Sequence, residues 1–261
     1  MSDRRILFSI HSWVNDAPHD ALLRQALPDW QIESVTRFQH NPALTARQHL
    51  EGWVAEASAA ITKAQPAGPL HLMGYSFGGR MAYLVANHLR EQGRTIEYCG
   101  VIDMLGEWPS LHPSSLRRLL LLMRANLSIS SWLNLIRRGP VSRMRWRLSW
   151  GLSRCIPRSR RASMLEANPN GEVTRYLNPS IELVWQLSSI IRLKKSTIPI
   201  TLFVTRASIA LYKSPDLLWG PIIGKPDTII PIPGIHTTVF DVENFDSLAR
   251  AIEQSLPSIS G

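Results

Sequence analysis

The sequence predicts an α/β fold, a mostly parallel central sheet with helices on both faces and a helical insertion. Three observations predict it. Short apolar runs alternate with amphipathic helical stretches, the pattern of strand–helix–strand units. One strand-to-helix junction carries Gly-x-Ser-x-Gly at 74–78. A proline-punctuated, arginine-rich segment interrupts the alternation after about position 106. A chain of 261 residues is read as a single domain, 1–261, with its core in 1–106 and 181–261 and a lid insertion at about 107–180.

In order, Arg5–Ile10 (RILFSI) is apolar throughout, as a strand buried on both faces is. It runs into His11-Ser12-Trp13-Val14-Asn15. In a serine hydrolase this strand end supplies one oxyanion N–H, and Trp13 is the candidate donor, whereas His11 is read as a structural loop histidine. Residues 17–27 form a helix closed by Pro28, and 31–35 a short strand. Residues 43–64 form a long amphipathic helix with Leu44, Leu50, Trp53, Val54, Ala57 and Ile61 on one side. Pro66, Gly68 and Pro69 end it.

The stretch LHLMGYSFGG at 70–79 organises the rest. Strand residues 71–73 precede the turn and helical residues 80–90 follow. This is the context in which Gly-x-Ser-x-Gly holds a serine nucleophile, Ser76, on a tight elbow. Phe77 opens the helix, and its N–H is the expected oxyanion donor. The bland alternative is a glycine-rich structural turn. Residues 96–104 form the next strand and deliver Asp103 at its carboxyl end, where open α/β sheets place their chemistry. A strand-end acid also serves as a turn or helix cap, and Asp216 is the runner-up.

Residues 180–193 read as a return helix and 199–205 as a strand. Arg206-Ala207-Ser208-Ile209 contains no acid, which strengthens Asp103. Residues 228–232 form the last strand, broken by Pro231, and 244–256 a closing helix. His236 lies between them in Pro233-Gly234-Ile235-His236, where a general base belongs. The order Ser76, Asp103, His236 is that of α/β-hydrolases.

The net charge of +9 is local. Twelve arginines and no acid lie between Arg117 and Arg161, leaving 17 bases against 20 acids elsewhere. That points to a local anionic partner rather than to a nucleic-acid-coating protein. Two cysteines make no disulfide framework, so a cytoplasmic setting is expected. Neither a signal peptide nor a run of about 20 apolar residues is read, so no membrane span is expected. No metal cluster or nucleotide loop is visible, and no cofactor is expected.

These segments resemble the thioesterase domains and stand-alone thioesterases of nonribosomal peptide and polyketide synthases, over nearly the whole chain. LFSIHSW is similar to the first strand and oxyanion loop. QPAGPLHLMGYSFGGRMAYLVANHLREQG, the most specific match, is similar to the elbow region. VIDML resembles the acid-bearing strand and PGIHTTVF the histidine segment; Trp219 falls where a tryptophan is common. The chain departs in its oxyanion loop, with Ser12-Trp13-Val14-Asn15 in place of a Pro-x-Gly-Gly pattern, and SVTRFQHNP lacks the Pro-Gly-Arg of editing thioesterases.

The resemblance implies cleavage or transfer of acyl or peptidyl groups from the phosphopantetheine thioester of a carrier protein or synthase module. It leaves editing and product release open. Two other readings stand beside it: another esterase or acyltransferase on this fold, and a non-catalytic carrier-binding scaffold. Within the insertion, Leu120, Met123, Leu127 and Trp132 are expected either to line an acyl channel over Ser76 or to serve the core. Arg158, Arg160 and Arg161 are expected either to steer a carrier protein or simply to be solvated.

Overall fold

Among the described residues the sheet has six strands in the order β2-β1-β3-β4-β5-β6, and every pair is parallel. The computed structural model describes residues 5–11, 17–35, 41, 43–107, 187–188, 190–224 and 226–257. The strands are β1 (Arg5–Ile10), β2 (Trp30–Val35), β3 (Leu70–Tyr75), β4 (Ile96–Ile102), β5 (Ile200–Thr205) and β6 (Thr228–Ile232). The helices are α1 (Ala17–Ala26), α2 (Ala46–Ala64), α3 (Phe77–Glu91), α4 (Arg206–Tyr212), α5 (Gly220–Ile223) and α6 (Val242–Ser255). All belong to one compact unit, Met1–Pro109 with Leu187–Gly261. The expectations for the insertion, including its channel residues and its arginines, lie outside the described residues.

Period-two alternation sends neighbouring strand side chains to opposite faces. Leu7, Met73, Ile102, Phe203 and Ile232 pack with Leu23 of α1, with Leu27 just after it and with Phe245, Leu248 and Ile252 of α6. The intervening residues Phe8, Leu72, Val101 and Leu202 are equally buried and face the side of α2 and α3, which pack on each other. A chain buried on both faces of its strands needs the continuous apolar runs seen in β1 and β5. The connection leaves β1 toward β2 and then returns to β3 on the other side of β1, which makes a topological switch. Such switches open a crevice at the carboxyl ends of the strands.

Helix starts follow local chemistry. Thr45 caps α2, accepting from the Gln48 N–H, while the Gln48 side chain accepts from the Thr45 N–H, a reciprocal capping box. α3 begins at Phe77, directly after Ser76 as read, with Gly78 and Gly79 inside the helix. Its Arg80 is buried and donates to the carbonyls of Ser188 and Ile191 at 3.2 Å each. Burial, with Arg192 nearby, lowers that guanidinium to about 10. Tyr83 donates to the Lys194 carbonyl at 2.7 Å. These bonds hold the 188–194 backbone against α3.

Three expectations are corrected. The helix read to residue 193 is helical at 187, 188 and 190 but not from Ile191 onward, where α3 side chains take its carbonyls. Pro231 does not break β6: it pairs with Val204. Among the described residues β6 has a neighbour on one side only, and an edge strand is where a proline is tolerated. Two short helices, α4 and α5, lie in a stretch read without helix. Between them Lys213, Leu217 and Leu218 take positive φ values of 52°, 47° and 64°, a turn that apolar side chains do not announce.

Candidate active site

Ser76 follows β3 with φ 54° and ψ −132°, a sparsely populated conformation that costs on the order of 1–3 kcal/mol. Two backbone hydrogen bonds, one to the end of β4 and one inside the turn, hold it. The Ser76 N–H donates to the Ile102 carbonyl at 3.0 Å, and the Gly79 N–H donates to the Ser76 carbonyl at 2.9 Å. The turn is so tight that a Cβ on Gly74 would lie 2.2 Å from the Gly78 carbonyl oxygen. A serine before a helix ordinarily caps it with its hydroxyl. Here the backbone angle withdraws Ser76 from capping, and its Oγ instead donates to His236 Nε2 at 3.0 Å.

His236 lies in the loop after β6. Gly234, with φ 83°, begins that loop, and a Cβ there would meet Asn244 Nδ2 at 2.8 Å and Thr238 Oγ1 at 2.9 Å. Thr238 Oγ1 accepts from the Ile235 N–H at 3.0 Å, and Asn244 Nδ2 donates to the Thr238 carbonyl at 2.9 Å. The imidazole is 42% exposed on its outer side. Its Nδ1 donates to Asp103 Oδ2 at 3.0 Å. A carboxylate accepts only, so the proton sits on Nδ1 and leaves Nε2 as an acceptor for Ser76.

Asp103 stands one residue past β4, buried, with φ 48°. Its N–H donates to the Phe203 carbonyl at 2.7 Å. Oδ1 accepts from the Thr205 N–H at 2.8 Å and Oδ2 from the Ser208 hydroxyl at 2.8 Å. Burial alone would raise this carboxyl, but the bonds from His236, Thr205 and Ser208 hold it below the usual carboxylate range. With burial, the Asp103 charge also pushes the Tyr212 phenol upward.

The three residues named from sequence are therefore brought together from the ends of β3, β4 and β6. Asp216 is not their acid. It accepts from Ser214 Oγ at 2.5 Å, the Leu218 N–H at 3.1 Å and the Gly220 N–H at 2.8 Å, so its carboxylate is committed to its own turn. His11, read as a structural loop histidine, is buried, with Nε2 2.6 Å from Asp20 Oδ2. Phe77 is the first residue of α3, so its N–H is among the four that a helix start leaves without an intrahelical partner. Trp13 lies outside the described residues.

Sequence reasoning missed Thr205, Ser208 and Tyr75. Tyr75 donates its hydroxyl to the His236 carbonyl. Ser208 had a signal: Thr205 caps α4 by accepting the Ser208 N–H at 3.1 Å, a Thr-x-x-Ser start beside a stretch empty of acid. Trp219 is fully buried, and its indole N–H donates to the Met104 carbonyl at 2.8 Å. This bond holds the residue next to Asp103.

The all-parallel sheet, the strained serine at its strand-to-helix elbow and the histidine and aspartate after later strands define an α/β-hydrolase fold. Comparison with known proteins narrows the class. Residues 21–119 match the family model of the thioesterase domain. Enterobactin synthase component F of Escherichia coli (strain K12) is 30% identical over 104 residues, covering 40% of this chain and 8% of that protein. The chain thus spans a small fraction of that relative's length.

Among solved structures, the NocB thioesterase domain, determined as a covalent complex with a fluorophosphonate nocardicin G analog, aligns with TM-score 0.62 and 19% identity over 97% of this chain and 94% of that one. The SrfTE thioesterase domain, described in the cyclization of the lipopeptide antibiotic surfactin, aligns with TM-score 0.55 and 18% identity over 97% and 92%. These alignments show a shared fold. In sequence, residues 21–119, less than half of the chain, are similar to the thioesterase domain, and over nearly the whole chain the solved thioesterase domains share its fold.

Proposed function

We propose that this chain is a serine thioesterase that removes acyl or peptidyl groups from the phosphopantetheine thioester of a carrier protein through an acyl-Ser76 intermediate. The hydrogen-bond chain from Ser76 Oγ to His236 Nε2 and from His236 Nδ1 to Asp103 carries this reading. The Ser76 oxygen attacks the thioester carbonyl carbon while His236 Nε2 takes its proton. Asp103 keeps the imidazole in the required tautomer and stabilises the imidazolium. The Phe77 N–H, with Trp13 as the second donor, binds the oxyanion. The C–S bond then breaks, and the imidazolium proton goes to the departing thiol.

In the second half, water or an amine or hydroxyl of the substrate attacks the ester, with His236 again taking a proton. The acyl–Oγ bond then breaks, the imidazolium returns its proton to Ser76 Oγ, and an acid, an ester or an amide leaves as product. The protein supplies the reacting groups, and the phosphopantetheine arm belongs to the substrate. The partner is then a carrier protein or synthase module, because the curated relatives are synthetase components. The setting is cytoplasmic, in keeping with the free, buried Cys99 thiol, which burial raises to about 12. Among the described residues no helix is long and apolar enough to cross a membrane.

The test is thiol release from acyl-pantetheine against hydrolysis of a simple ester, alongside covalent labelling by a fluorophosphonate. Labelling with preferred thiol release supports the proposal. Labelling with preference for the ester points to an esterase, and absence of labelling to a scaffold.

A further inference from the structure

Both nitrogens of the His236 ring bond to groups that react or carry charge, Ser76 and Asp103. The Ser76 bond must loosen as the proton moves. A third contact does not take part in proton transfer. Tyr75, the residue before Ser76, donates its hydroxyl to the His236 backbone carbonyl. Its ring lies 5.2 Å from the imidazole at 30°. The tyrosine is itself gripped. Phe240 meets its ring at 5.2 Å and 74°, and His19 at 5.6 Å and 85°. His19 and Phe240 stack on each other at 3.9 Å and 11°.

Tyr75 is also the last residue of β3, paired with Ile102 of β4. The nucleophile and the base loop are therefore referenced to one strand end. Ser76 is attached to it by a peptide bond, and His236 by a hydrogen bond and a ring face. We propose that Tyr75 is a positioning residue, which keeps the half-exposed His236 imidazole aimed at Ser76 Oγ while the proton is transferred. The proposal rests on the catalytic reading of Ser76 and His236 above.

A tyrosine suits this task better than the residues nearest to it in shape. Phenylalanine keeps the ring contact but cannot reach the carbonyl, and leucine loses both. Misplacing a reacting group by about 1 Å costs on the order of 10²-fold. Losing one of two contacts therefore has an expected cost of roughly tenfold.

The experiment uses the full chain and compares wild type with Tyr75→Phe, Tyr75→Leu and Ser76→Ala. Active sites are titrated with a fluorophosphonate, and kcat and KM for thiol release from acyl-pantetheine are measured per titrated site, or per mole of protein for Ser76→Ala, which has no serine to label. Tyr75→Phe should lose roughly tenfold in kcat and in phosphonylation rate, with KM within about twofold. Its titre and melting temperature should stay those of wild type, and Tyr75→Leu should lose more kcat per site. A wild-type rate per site in Tyr75→Phe would overturn the proposal. So would a loss fully explained by a lower titre, which is a folding role, or a raised KM at unchanged kcat, which is a substrate contact. If Tyr75→Leu does not fold, Tyr75→Phe decides alone. Wild-type turnover by Ser76→Ala would overturn the catalytic reading itself, separately from the positioning role.

Discussion

Around Ser76, the groups that shape the backbone come almost wholly from positions 74–79. Gly74 and Gly78 touch across the turn, and the Gly79 N–H closes it. Around Asp103, the bonded groups come from positions 205, 208 and 236. The nucleophile is built by a local motif with strained angles; the acid is built by convergence of three strand ends. A local site stands or falls with sterics inside the turn. A convergent site depends on charge and hydrogen bonding among elements far apart in the chain, and it tolerates loss of single partners by degrees.

Ser76→Ala gives the largest expected change. Fluorophosphonate labelling should vanish and thiol release should fall by about 10³-fold or more, with the fold intact. Asp103→Asn tests the convergent half. It should cost up to roughly 10⁴ in kcat, because asparagine favours the wrong imidazole tautomer, whereas Asp216→Asn should leave kcat within a few fold. The reverse pattern in steady-state rates would show that the acid has been misassigned. Gly74→Ala probes the local half through stability. A Cβ 2.2 Å from a backbone oxygen cannot be relieved by a rotamer change, so a loss of about 1–3 kcal/mol or more is expected in denaturant titration.

Ser208→Ala removes one of the three groups that bond the Asp103 carboxylate. The expected cost is roughly tenfold in kcat, since bonds to charged groups contribute on the order of 1.5–3 kcal/mol but two partners remain. Acidity separates the halves by the smallest and most diagnostic effect. The folded Asp103 carboxyl is held below its ordinary value. The stability from its bonds is therefore complete above the usual carboxylate value of about 4, and fades as pH falls through the lower folded value. Melting temperatures of wild type and Asp103→Asn should differ at neutral pH and converge in strong acid. A gap that widens on acidification would contradict the assigned bonding.

The positions of the main strands and helices were legible because burial imposes simple periods. RILFSI and ITLFVT are apolar because both sheet faces are covered, and α2 shows its stripe at Trp53, Ala57 and Ile61 because one side meets α3, whereas Leu44, read as part of that stripe, precedes the helix and is exposed. The elbow was legible for the same local reason: its sterics admit few residue types, and those types stand adjacent in the chain. Pro231 misled because breaking power depends on having two strand neighbours, and among the described residues β6 has one. α4 and α5 went unread because both are short and the bonds that hold the turn between them, from Ser214 and Asp216, are set in space rather than by an apolar period.

By itself the sequence determined a parallel α/β chain, the serine at its elbow and the order in which an acid and a histidine follow. Only the tertiary structure decided which acid is held against the imidazole, since in sequence Asp103 is favoured and Asp216 stands as runner-up until it is seen consumed by its own turn. It likewise decided that Thr205, Ser208 and Tyr75 hold the acid and the base loop. Those contacts join residues more than a hundred positions apart, and a hydrogen bond depends on distance and angle in space, which spacing along the chain does not encode.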